Sequence, residues 1–210
     1  MIGLGRALRD AGLRAVLVDL RGHGGSTGEW LTYGALEGGD LVQLVDQLDA
    51  LGMIEGPLSV YGPSYGGAAA LQLAALDPRV SAVVGVSTFA SLREVVPPYA
   101  ALHWAGALLP SALLDAAVEA AGDLGGFAPD AADSRAAIAR VRARVLLIHG
   151  DADRHIPLAH ARALLSACPR GRCELVTIEG GDHAGTLGSE RTRAEALRFL
   201  LARSERHASR

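Results

Sequence analysis

The chain has 210 residues, half of them hydrophobic and a fifth charged, which suits one globular domain with a core of its own. The net charge of −3 argues against a nucleic-acid partner, which needs a basic face to neutralise phosphates. Lysine is absent, and the arginines that carry the basic charge are scattered and form no run.

In chain order, residues 3–12 read as helix and 15–19 as the first of five short, apolar, β-branched runs; the others are 58–61, 82–86, 145–149 and 174–178. None alternates polar with apolar residues, so each reads as a strand buried on both faces, as in a parallel sheet. Between the runs, Leu36, Leu41, Leu44, Val45, Leu48 and Leu51 recur at helical spacing, and 65–76 is rich in alanine and leucine ahead of Pro78. Residues 160–167 and 191–202 give the last two helical patterns. Strand, crossover, strand repeated in this way predicts a doubly wound α/β sheet in a single domain spanning 1–210.

Residues 89–142 break the rhythm: they hold no strand pattern, but helical ones around 92–96, 104–121 and 134–140. An insertion of this size after a strand is expected as a helical cap over a site. Leu92, Val96, Tyr99, Leu102 and Trp104 would then line an apolar pocket, although the same residues suit a packed core equally. The first twenty residues are broken by Arg6, Arg9, Asp10 and Arg14, and 99–122 by His103, Pro110, Asp115 and Glu119, so neither a signal core nor a membrane span is expected. A cytoplasmic location follows as the expectation. There Cys168 and Cys173 would be reduced thiols; a local disulfide is the alternative, and a metal site lacks a third and fourth ligand nearby.

The segment Leu58-Ser-Val-Tyr-Gly-Pro-Ser-Tyr-Gly-Gly67 carries the most chemistry. An apolar strand runs into Gly62-x-Ser64-x-Gly66 and straight on into a helix, the context of a nucleophile elbow, whose strained turn needs small residues around the serine. The alternative is a glycine-rich turn whose serine merely caps a helix. A serine hydroxyl needs a base, and His183 lies after the last strand in Glu179-Gly-Gly-Asp-His-Ala-Gly185. The acid partner should follow the preceding strand, where Asp151 and Asp153 are both offered.

These segments resemble the α/β-hydrolase superfamily, in particular its esterase, lipase and serine-peptidase-like members. His149-Gly150-x-x-Asp153 matches the family's H-G-x-x-D, which implies Asp153 as the acid and leaves Asp151 as a turn residue. Asp19-Leu-Arg-Gly-His-Gly-Gly-Ser26 resembles the family's D-x-R-G-x-G-x-S, whose residues are structural, so His23 is given no catalytic role. His155 and His160 are read as surface positions. The resemblance implies a serine hydrolase that cleaves an ester, thioester or amide of a small acyl substrate, with no cofactor. Ser64, His183 and Asp153 would do the chemistry, and the Tyr65 N–H would bind the oxyanion.

The family also has an earlier strand, between the 15–19 and 58–61 runs, whose loop donates a second N–H to the oxyanion; nothing in this sequence matches it. The chain is therefore expected to be N-terminally truncated relative to the family, leaving either a gap in the sheet or an unfamiliar pairing. A fragment, a shortened enzyme and a catalytically impaired binding protein all remain open, and an open sheet edge would favour a homo-oligomer.

Overall fold

A computed structural model describes residues 2–102 and 106–202. Four parallel strands, β1 (Leu58–Pro63), β2 (Val80–Val86), β3 (Arg144–Gly150) and β4 (Cys173–Ile178), form one sheet in the order β1-β2-β3-β4. Four of the five strand readings are thus met, each extended by a residue or two. Around the sheet lie α1 (Ile2–Asp10), α2 (Glu37–Ala50), α3 (Tyr65–Leu76), α7 (Leu158–Ala167), α8 (His183–Gly188) and α9 (Glu190–Leu201).

Side chains alternate faces along a strand, and this partitions the core. Val83, Val145 and Leu147 point to one face, where they meet Val45 of α2, Leu71 and Ala74 of α3 and Leu164 of α7. Ala82, Val84, Val86, Leu146 and Ile148 point to the other, against Ala196, Phe199 and Leu200 of α9, with Leu8 of α1 packed alongside. Both faces being covered explains why these strands read as continuous apolar runs.

The fifth run is not a strand. Residues 13–20 take no regular structure, and Val16, Leu17 and Val18 are 46%, 52% and 44% exposed. A strand exists only by pairing, and this segment has no hydrogen-bonded neighbour in the sheet. Between it and β1 runs a cleft of about 1050 Å³, lined by Val16, Val18, Leu58 and Val60, with Leu44 of α2 and Leu8 of α1 among its walls. Of the two outcomes expected, a gap and an unfamiliar pairing, the chain adopts the gap.

Residues 89–142 contain α4 (Leu92–Ala100), α5 (Ser111–Gly125), α6 (Ser134–Ile138) and two short 3-10 turns. The second helix starts later than its sequence pattern suggested. Phe89, Leu92, Val95, Val118 and Phe127 pack with Ala68 of α3 and Ile156 into a separate small core. Arg93 ties α4 to α5 and the 129–131 turn through Glu119 and Asp130. Cys168 and Cys173 form a disulfide closing the turn from α7 into β4, so the reduced-thiol expectation gives way to its alternative. Among the described residues no helix is long and apolar enough to cross a membrane.

The unpaired edge has a measurable consequence. In hydrogen exchange, the β1 amides that face the cleft should exchange with little protection, whereas those of Val84 and Leu146, inside the ladder, exchange only on global unfolding. Equal protection on both would show that the cleft is closed by pairing.

Candidate active site

Ser64 sits where β1 turns into α3, with φ 51° and ψ −121°, a conformation that costs a side-chain-bearing residue on the order of 1–3 kcal/mol. Its N–H donates to the Val86 carbonyl at 2.7 Å, which pins the turn to the end of β2. The turn is tight enough that a Cβ on Gly62 would lie 2.1 Å from the Gly66 oxygen. Gly66 was expected to provide equivalent room, but its own Cβ would meet only the Pro63 ring, at 3.3 Å. The second crowded position is Gly67, where a Cβ would come within 2.7 Å of Thr88. The Tyr65 N–H, at the first position of α3, has no partner within the helix and shares the positive end of its dipole.

Asp153 lies three residues beyond the end of β3, 4% exposed, and both its oxygens are used. Oδ1 accepts the N–H groups of His155 at 3.0 Å and Ile156 at 2.9 Å. Oδ2 accepts from His183 Nδ1 at 2.8 Å. A carboxylate only accepts, so Nδ1 carries the proton. Nε2 of the neutral ring is then a bare acceptor, 3.1 Å from the Ser64 hydroxyl, which donates to it. Burial alone would raise the Asp153 pKa, but the His183 and Ile156 hydrogen bonds outweigh it and the group lies below the ordinary carboxylate range. At the end of the loop that follows β4, His183 opens the short helix α8, whose cap residue Asp182 accepts the Gly185 N–H at 2.6 Å.

Asp151 is more than a turn residue. Its Oδ1 accepts the Gly180 N–H at 2.7 Å, and the Ala152 N–H donates to the Gly181 carbonyl at 3.1 Å. These bonds join the acid-bearing loop to the histidine-bearing one. Gly150 permits the contact, since a Cβ there would lie 2.0 Å from the Gly181 oxygen. The Asp19–Ser26 turn is held as the resemblance implied: the Ser26 hydroxyl donates to the Asp19 carbonyl and Arg21 pairs bidentately with Asp40 of α2.

The structure therefore brings Ser64, His183 and Asp153 together and places the Tyr65 N–H beside them. The pocket residues fare differently. Leu92 is buried in the insertion's own core, clustered with Phe89 and Ile156. Val96 packs partly against that core, and Leu102 is half-buried. Tyr99 is half exposed, and its ring lies 5.8 Å from that of His155. Trp104 and His103 lie outside the described residues. His155 is exposed, as read, and its ring also lies 5.4 Å from that of His183, at the site. His160 is not at the surface: it is buried, and its Nδ1 accepts the Ala90 N–H at 3.3 Å. His23 stacks on Tyr65 at 5.5 Å.

Two buried groups escaped the sequence reading. Glu37, fully buried at the start of α2, accepts from the Thr32 N–H and hydroxyl and from the Gly34 N–H at 2.6–2.9 Å. Burial, followed by the nearby Glu37 carboxylate, pushes the Tyr65 phenol above its ordinary pKa. His149, 1% exposed, gives its Nε2–H to the Ile156 carbonyl at 2.7 Å. No local pattern distinguishes Glu37 from a surface residue of a helix, and the H-G-x-x-D match marks His149 without reporting its burial. Among the described residues no group of three or more His, Cys, Asp or Glu is placed to hold a metal ion.

A parallel sheet wrapped by helices on both faces, with serine, aspartate and histidine beyond the carboxyl ends of successive strands, defines an α/β hydrolase. The chain belongs to the alpha/beta hydrolase family, whose sequence model matches residues 2–196. Solved structures similar in fold include monoacylglycerol lipase from Paleococcus ferrophilus (TM-score 0.68, 19% identity, 95% of this chain and 88% of that one). Acetyl xylan esterase from Paenibacillus sp. R4 is another (0.64, 21%, 88% and 64%). A third is 2,6-dihydroxy-pseudo-oxynicotine hydrolase (0.60, 22%, 81% and 48%), of whose length this chain spans about half. No curated protein sequence matches the chain.

Burial also sets a pH dependence. Desolvation holds His149 and His160 below the ordinary histidine pKa, so they fold neutral. The unfolded chain then binds more protons, and stability rises with pH through that range. The melting midpoint should fall steadily from about pH 7 to about pH 5, as each histidine passes its unfolded value near 6.5. A midpoint constant over that interval would contradict the buried-neutral assignment.

Proposed function

We propose that this chain is a serine hydrolase that cleaves a carboxylester, or a thioester or amide, through an acyl-enzyme. The observation that carries the reading is the continuous hydrogen-bonded line from Ser64 Oγ through His183 to Asp153, at 3.1 and 2.8 Å, anchored on a positive-φ elbow. Ser64 Oγ attacks the acyl carbonyl while His183 Nε2 takes its proton. The buried Asp153 carboxylate holds the imidazole in the required tautomer and stabilises the imidazolium. The Tyr65 N–H faces the oxyanion as charge develops on it. His183 then returns the proton to the leaving group, and water, deprotonated by the same nitrogen, releases the acid and restores Ser64. Val96, Tyr99 and Leu102 are proposed to line the acyl pocket.

A fluorophosphonate probe should label the purified chain at Ser64, and Ser64→Ala should abolish both labelling and hydrolysis of p-nitrophenyl acetate. His183→Ala and Asp153→Asn should each lower turnover by about 10³-fold or more. Labelling that survives Ser64→Ala would overturn the assignment.

The open cleft beside Ser64 favours a second reading, a catalytically impaired chain that serves as a binding protein. With Tyr65 as the single assigned oxyanion donor, turnover would run about 10²–10³-fold below that of a site with two. Stoichiometric labelling of Ser64 without multiple turnovers would select this reading over the first.

A further inference from the structure

Among the buried titratable groups that the proposed reaction leaves unused, His149 lies against the acid. His149 occupies the penultimate position of β3, and its ring is enclosed almost completely. From there Nε2 reaches across the 151–156 turn to the Ile156 carbonyl at 2.7 Å. A carbonyl only accepts, so Nε2 carries the hydrogen. The same nitrogen stands 3.8 Å from Asp153 Oδ2, the oxygen that receives the His183 proton at 2.8 Å. Two imidazoles thus flank one carboxylate oxygen, and only one of them is bonded to it.

We propose that His149 is a positioning residue for the acid–base pair: its Nε2–H fastens the Ile156 carbonyl, sets the 153–156 turn, and leaves Asp153 Oδ2 to His183 alone. This inference rests on the serine-hydrolase reading for its kinetic consequence, but not for its geometry. Ile156 is held through the peptide units on both of its sides. Its N–H donates to Asp153 Oδ1 at 2.9 Å and its carbonyl takes the His149 hydrogen, so the backbone that orients the carboxylate cannot rotate without breaking a buried bond. The charge state fits. Burial holds His149 below the ordinary histidine pKa, with the nearby His183 acting in the same direction and the Ile156 bond and Asp153 opposing. A neutral ring has one N–H, and Ile156 takes it. A second proton would make His149 a cation beside Asp153 and a competitor for Oδ2. Asp153, His183 and His160 are the titratable neighbours through which this would be felt.

The test compares His149→Gln, whose amide N–H₂ replaces Nε2–H, with His149→Leu, which fills the space and donates nothing. In the Leu variant kcat should fall about 10- to 100-fold, the cost of a small misplacement of a catalytic group, with KM unchanged. The acid limb of its kcat profile should move to lower pH, because the imidazolium formed at His183 has lost a well-placed carboxylate. The Gln variant should restore both rate and profile. Independently of turnover, the downfield proton resonance of the His183 Nδ1–H bonded to Asp153 should be present in the wild-type and Gln proteins and lost or shifted upfield in the Leu protein. Unchanged kcat, pH profile and resonance in His149→Leu would overturn the proposal, as would a Gln variant as impaired as Leu. If the wild-type chain shows no Ser64-dependent labelling or turnover, the hydrolase reading fails, while the resonance still decides the role of His149.

Discussion

The site depends on a backbone conformation that most residues avoid. Ser64 holds φ 51° because the chain must leave β1 and enter α3 within one residue, and the Val86 carbonyl and the space above Gly62 make that turn tenable. The strain is offset by the helix and sheet on either side, which pack into one shared core. Its effect is to lift the hydroxyl out of the sheet toward the carboxyl ends of β3 and β4. A serine in ordinary strand or helix geometry here would point along the element and miss the imidazole. The helix that the turn starts also brings an unpartnered N–H and a positive dipole end to the same spot.

Around that point, the polar groups are arranged by satisfaction rather than by exposure. A carboxylate as enclosed as Asp153 would be neutralised by protonation if left unpartnered; two backbone N–H groups and one imidazole N–H keep it ionised. Every one of those donors belongs to a loop that is itself tied down, by the His149–Ile156 bond, by Asp151 to Gly180, or by Asp182 capping α8. The carboxylate is therefore both the electrostatic partner of the base and the point at which two loops are joined.

The front of the sheet follows a different logic. β1 has a partner on one side and a cleft on the other, and the apolar segment beyond the cleft takes no regular structure. The strands consequently differ in surroundings: β2 and β3 each have a paired strand on both sides, while β1, which leads to the nucleophile, has an open flank. The disulfide between α7 and β4 lies at the opposite edge of the sheet and constrains the strand that leads to the base.

Much of this was legible in the residues themselves. Parallel strands covered on both faces leave continuous apolar runs, and the crowding at Gly62 and Gly150 leaves glycines that nothing else would select, so four strands, the elbow and both loops could be read locally. The choice of Asp153 over Asp151 came from resemblance; locally the two are alike, and only the fold turns one inward to His183 and the other toward Gly180. Residues 15–19 carry as good a strand signal as any other run, yet form none, because pairing requires a neighbour that a one-dimensional pattern does not report. The same limit applies to Leu92, His155, His160, His149 and Glu37. Whether a side chain is core, site or surface depends on which distant segment packs over it, and that is decided when loops far apart in sequence converge at one sheet edge.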